Sequence, residues 1–195
     1  MYLNNLLFTW QVTKMADPHI IEKLDALDKA QVVLYRLGIM LSGIALTLPA
    51  LAFFWQAATY LFQPALIIGS ILIAASLHIY SKLIRLILSH STWVALIIFS
   101  MNQIFELQID QGWINGFLLI TLSGIAFKES FCFKIPGLKL TPAILFIATI
   151  AQLNSLQSIF IGACLIAALL TLFMSIAKWR MPLHFDIGDK TKYQI

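Results

Sequence analysis

The sequence predicts an all-α fold: a polytopic membrane bundle of about six transmembrane helices, preceded by an amphipathic cytoplasmic helix. Three observations predict it. Sixty per cent of the 195 residues are apolar and only 11% are charged, whereas a soluble domain carries roughly a quarter charged. The apolar residues gather into runs approaching the roughly 20 residues a helix needs to cross a hydrocarbon core about 30 Å thick. Lys and Arg cluster at alternate gaps between those runs. So few charges cannot cover a water-exposed surface, so lipid is the expected solvent, and the length fits one membrane domain.

The first element opens at Asp17-Pro18, an N-cap followed by proline at the first helical position. From there residues 18–36 read as an amphipathic helix, with Ile20, Ile21, Leu24, Leu27 and Gln31 on one face and Glu22, Lys23, Asp25 and Lys29 on the other. It either lies at the membrane interface and runs into the first span, or packs on the chain's own loops. Residues 1–16 carry no clear pattern. The first basic residue is Lys14 and Leu6-Leu7-Phe8 is too short for an h-region, so no cleavable signal peptide is expected.

Span 1 is expected at Leu37–Trp55, kinked by Pro49, and span 2 at Leu61–Tyr80, with Pro64 in its first turn, where a missing N–H costs little. Span 3 follows at Trp93–Leu107, span 4 at Trp113–Phe133, span 5 at Leu140–Leu153 and span 6 at Leu156–Ala177. Span 5 is short, with Pro142 at its start and Gln152 and Asn154 at its far end. It either crosses a locally thinned bilayer or enters and returns. Trp55, Tyr60, Trp93, Trp113 and Trp179 fall near the expected span ends, as an aromatic belt requires.

Orientation comes from the cations. Taken gap by gap from the N-terminus, the Lys and Arg counts are 4, 0, 2, 0, 3, 0 and 4, which accounts for all 13. The positive-inside rule then puts residues 1–36 and the tail 180–195 in the cytoplasm, flanking a membrane domain at 37–179. The formal charge of +4 forms no basic stripe, which argues against a nucleic-acid partner. The two cysteines, Cys132 and Cys164, supply no disulfide framework.

Two stretches carry a family resemblance: His78-Ile79-Tyr80-Ser81-Lys82 at the close of span 2, and Gly124-Ile125-Ala126-Phe127-Lys128-Glu129-Ser130-Phe131-Cys132-Phe133 at the close of span 4. With Asp17 and Leu34-Tyr35-Arg36, they resemble a mainly cyanobacterial family of integral membrane proteins, the domain of unknown function 2301. The likeness covers residues 15–180, and its Ala-Phe-Lys-Glu-x-Phe-Cys-Phe run is the specific part. Where that pattern carries a second basic or His residue after the Lys, this chain has Leu83-Ile84-Arg85. The resemblance implies a bacterial plasma or thylakoid membrane and no particular activity.

Candidate functional residues gather where spans 2 and 4 end. Glu129, beside Lys128, is costly at the end of an apolar helix unless paired or wet. It reads either as a proton or cation site or as an interfacial ion pair with Lys82, Arg85 or Lys134. Cys132 lies one turn from Lys128, a cation able to lower its thiol pKa, but no companion Cys or His stands at metal-ligand spacing. His78, Lys82, Arg85 and Ser89 fall at helical spacing, a stripe suited to an anionic lipid headgroup. In a pigment-rich membrane His78 is alternatively a chlorophyll ligand, while snorkelling explains Lys82 and Arg85 without any function.

On the expected outer side, Asn102, Gln103, Glu106, Asp110 and Asn115 form a polar group, read as a shallow cation site or as helix-to-helix hydrogen bonds. Gly112 and Gly116 have the spacing of a close helix contact. No nucleotide-binding, serine-hydrolase or zinc-protease motif occurs, and no cofactor is required. Pro64-Ala65-Leu66-Ile67 and Pro142-Ala143-Ile144-Leu145 lie three spans apart, the offset of an inverted repeat. Three functions are compatible: a non-enzymatic accessory or assembly protein of a (photosynthetic) membrane complex, a small transporter, or an intramembrane enzyme acting on a lipid or prenyl substrate. The last needs His78, Lys82, Lys128 and Glu129 to converge.

Overall fold

The computed structural model describes residues 24–188. The expected helix start at Asp17-Pro18 and the cations Lys14, Lys23, Lys190 and Lys192 lie outside that range. Six main helices form an all-α bundle, with no strand among the described residues.

Helix α1 (Ala26–Ala45) opens on a capping box: Asp28 N donates to the Asp25 side chain at 2.7 Å, and Asp25 N to Asp28 at 3.2 Å. Leu27 and Gln31, expected on its apolar face, are exposed, and the buried stripe runs instead through Val32, Tyr35, Arg36 and Ile39. The Pro49 kink takes the form of a break. The chain turns at Leu46–Thr47, and a short α2 (Leu48–Leu51) restarts with the proline in its first turn.

Helix α3 (Ala57–Ala75) starts earlier than expected, so Pro64 lies inside it rather than in its first turn. The carbonyl its ring leaves without a donor is that of Tyr60, a residue 74% exposed in the helix's first turn. The helix also ends five residues early, at Ala75, leaving 76–81 irregular. Helix α4 (Lys82–Phe105) corrects the third span. Residues 82–92, expected as a helical extension of span 2, are instead its first three turns, and Trp93 sits mid-helix rather than at an end. The two cations stand in the opening turn of an otherwise apolar run, where long side chains reach polar surroundings without breaking the helix.

Asp110 caps α5 (Gln111–Glu129) by accepting from Gly112 N at 2.6 Å. The helix stops at Glu129, four residues before the expected end. After a 3₁₀ turn (Leu138–Leu140) come α6 (Thr141–Leu153) and α7 (Gln157–Trp179), both near their expected bounds. A short α8 (His184–Ile187), in a segment expected only as tail, closes the described chain.

Around the bundle, α4 packs on α5, α5 on α6, α6 on α7, α7 on α1 and α1 on α3, while α3 returns to both α4 and α5. Gly112 and Gly116 do admit a close neighbour, since a Cβ on either would meet Leu153 or Thr149 of α6 at 2.8–2.9 Å. Between α4 and α5, Thr121 Oγ1 donates to Leu88 O at 2.8 Å and lies 2.8 Å from the hydroxyls of Ser91 and Thr92. In an apolar medium such interhelical bonds supply part of the association that the hydrophobic effect cannot.

Four helical stretches are long and apolar enough to cross a membrane: Ala26–Leu51, Ala57–Ala75, Lys82–Phe105 and Gln157–Trp179. The 13 residues of α6 span about 20 Å, short of a full hydrocarbon core.

Candidate functional site

Burying an ion in an apolar bundle costs several kcal/mol unless opposite charges surround it. At one end of this bundle four ionic side chains are buried together. Arg36 is 2% exposed on α1, Glu129 1% at the last position of α5, Lys178 2% in the last turn of α7, and Asp186 6% on α8.

They alternate in sign. Arg36 Nε donates to Asp186 Oδ2 at 2.7 Å, and Asp186 also pairs with Lys178. Lys178 Nζ donates to Glu129 Oε2 at 2.8 Å, and Glu129 Oε1 accepts from the Tyr35 hydroxyl at 2.8 Å. Lys128 completes the series, with its ammonium 3.5 Å from Glu129. Tyr35, fully buried, lies beneath both lysines, their nitrogens 5.2 and 5.5 Å from its ring centre. Arg36 also donates to Met181 O at 2.8 Å and Pro182 O at 3.1 Å, fixing the turn that carries α8 to the bundle. Within this group one positive charge is left over.

Glu129 was legible as a candidate, but the cations that hold it are Lys178 and Lys128, not the Lys82, Arg85 or Lys134 that expected proximity suggested. Tyr35, Arg36, Lys178 and Asp186 escaped sequence reasoning. Leu34-Tyr35-Arg36 entered only through the family resemblance, and Arg36 and Asp186 meet across 150 positions.

The stripe of His78, Lys82, Arg85 and Ser89 does not exist as one helical face. His78 lies in the irregular 76–81 segment, and α4 begins only at Lys82. Arg85 folds back to donate to Ile79 O at 3.1 Å. His78 joins the ionic group through its backbone, its carbonyl accepting from Lys128 Nζ at 2.7 Å. Burial, and then the charge of Lys128, lower the imidazole pKa below its ordinary value, which favours the neutral ring.

Cys132 lies in the turn after α5, and its expected activation is reversed. Burial, and next the Glu129 carboxylate, raise the thiol pKa above its ordinary value, outweighing Lys128 and Lys178, which pull it down. Among the described residues no three of His, Cys, Asp and Glu converge as a metal site.

Beside the ionic group lies a cavity of about 360 Å³, bordered by His78, Lys128, Glu129, Cys132, Lys178 and Asp186 and by an apolar wall that includes Phe127 and Phe131. Three of the four groups an intramembrane enzyme would need thus border one space, while Lys82 does not. At the opposite end the polar residues do separate work. Asn102 accepts from Ile109 N at 3.0 Å, Asn115 donates to Gln152 at 3.3 Å, Asp110 caps α5, and Glu106 and Gln103 are exposed.

Comparison with known proteins places this architecture. A curated protein of Haemophilus influenzae, described as an uncharacterized protein, is 42% identical over 189 residues, covering 93% of this chain and 100% of that protein. That relative is not cyanobacterial. No solved structure matches. Residues 73–195, which carry most of the described site, match the model of an uncharacterized integral membrane protein family, DUF2301. This multi-pass, all-α chain belongs to that family of integral membrane proteins.

Proposed function

We propose that the chain is a non-enzymatic accessory or assembly protein of a membrane complex, crossing the bilayer six times with both ends cytoplasmic. The observation that carries this reading is the saturation of the buried charges. Glu129 and Asp186 are each held by cations on other helices, and the Cys132 thiol is biased against ionising, so neither carboxylate is poised as a base and the thiol is not poised as a nucleophile. Such a network fixes geometry. It ties α1, α5, α7 and α8 at one end of the bundle and leaves its flanks to outside contacts.

Helix α4 offers the barest flank. Only 22% of its most apolar stretch is buried, against 44–56% for the other three long helices. Isolation of a tagged copy in mild detergent is expected to bring down further membrane subunits. Migration solely as a free monomer or homodimer would sink the accessory reading. The alternation of cations supports the six-crossing topology, with α6 crossing a thinned bilayer. Cysteine introduced at Gln108 is expected to react with an impermeant thiol reagent in intact cells, and cysteine at Arg180 to be shielded. The reverse pattern would overturn the orientation.

A further inference from the structure

We propose that the cavity beside Lys128 is a binding site for one acyl-chain amphiphile with an anionic headgroup, the head against the Lys128 ammonium and the chain along Ile84, Phe127 and Phe131. This goes beyond an accessory role and holds whether or not a protein partner is found.

The sign of the ligand follows from which groups are already committed. Both carboxylates bordering the cavity are neutralised: Glu129 by Lys178 and the Tyr35 hydroxyl, Asp186 by Arg36 and Lys178. The surplus charge is Lys128. Its side chain is 28% exposed, whereas those of Glu129, Lys178, Arg36 and Asp186 are 0–3% exposed. An ammonium has three donors. One goes to His78 O, and Glu129 at 3.5 Å is beyond a short bond, so donor capacity remains for an anion. His78 also borders the cavity, its carbonyl already held by Lys128. A cationic ligand would meet two lysines and no unpaired carboxylate.

The tail follows from the wall. Ile84, Phe127 and Phe131 border the cavity and are also 47–49% exposed, so the apolar lining continues onto the bundle flank. That gives an acyl chain a lateral route, and a small soluble anion gains nothing from it. About 360 Å³ lies near the lower end of the roughly 300–1,000 Å³ typical of ligand pockets, room for part of one chain while the rest follows the flank.

Cys132 supplies the readout. It borders the cavity and is partly exposed, whereas Cys164 is fully buried. The full chain is purified in lauryl maltoside, and maleimide alkylation of Cys132 is followed by peptide mass spectrometry at mildly alkaline pH. Oleate, oleyl alcohol and inorganic phosphate are the probes. Oleate is expected to slow alkylation several-fold, with oleyl alcohol and phosphate having little effect. Lys128→Met should raise the oleate concentration for half-protection by about tenfold or more, the loss of a charge-assisted bond, while Lys128→Arg retains it.

Equal protection by oleyl alcohol would overturn the anionic head, and protection by phosphate alone would make the site one for a soluble anion. Unchanged half-protection in Lys128→Met would remove Lys128 from it. If that variant does not fold, the oleate and oleyl alcohol comparison on the native chain decides.

Discussion

Replacing Lys178 with methionine should destabilise the detergent-solubilised protein by about 3–5 kcal/mol, the range for removing one partner of a buried ion pair. Methionine keeps most of the side chain's bulk, so the loss is electrostatic. Two carboxylates lose their shared cation, leaving Glu129 with Tyr35 and the more distant Lys128, and Asp186 with Arg36. Glu129→Gln should cost less, about 1–3 kcal/mol, because Lys178 keeps Asp186 and the amide oxygen still accepts from Tyr35. The double variant should be less damaged than the two single losses added, since each change removes the charge that the other strands. A coupling of about 0.5–3 kcal/mol is the scale for residues in one network. Thermal unfolding midpoints in one detergent give the cycle. Additive losses, or a Lys178→Met chain as stable as the parent, would show that the network does not hold the bundle.

How much of that network the sequence revealed depended on the kind of interaction. Glu129 was legible because a carboxylate in apolar surroundings needs a partner, and that need is local. Its partner was not. Lys178 was visible as a helix-end cation, which commonly reaches headgroups, and only the docking of α5 against α7 through α6 and the 3₁₀ turn turns it inward. Asp186 sits in a polar-looking tail that folds back because Arg36 holds Met181 and Pro182.

The element boundaries divide along the same line. Helices α6 and α7 were read closely because Pro142 and the Asn154–Ser155 turn are local stops. Helix α4 takes in Lys82, Arg85 and Ser89, whose spacing suggests an extension of span 2, because charged residues do not of themselves end a helix. In a membrane they mark where the polar zone begins, and a helix passes through it intact.

The close crossing of α1 and α3 yields the second large effect, with the sign set by backbone rather than side chains. Gly38 of α1 and Gly69 of α3 face each other where these helices pack. A Cβ on Gly38 would stand 2.8 Å from Gly69 O and 2.9 Å from Ile73 N; one on Gly69 would meet Ser42 Oγ, Ser42 N at 2.9 Å and Gly38 O at 3.0 Å. Backbone atoms cannot rotate away, so alanine at either position must push the helices apart. Such overpacking costs about 1–3 kcal/mol, more than the roughly 1 kcal/mol that alanine gains over glycine in a helix.

Gly162 of α7 is the control, because nothing among the described residues lies within 4 Å of its added Cβ. Gly162→Ala should be neutral or stabilising, and Gly38→Ala and Gly69→Ala should each lower the unfolding midpoint. Adding Ser42→Ala to Gly69→Ala should recover part of the loss. It removes the hydroxyl in the way, which is buried without a hydrogen-bond partner among the described residues, yet leaves Ser42 N in place. If Gly69→Ala were as well tolerated as Gly162→Ala, α1 and α3 could not lie this close. The alignment of Tyr35 and Arg36 over Glu129 and Asp186, which depends on where α1 sits, would lose its footing with it.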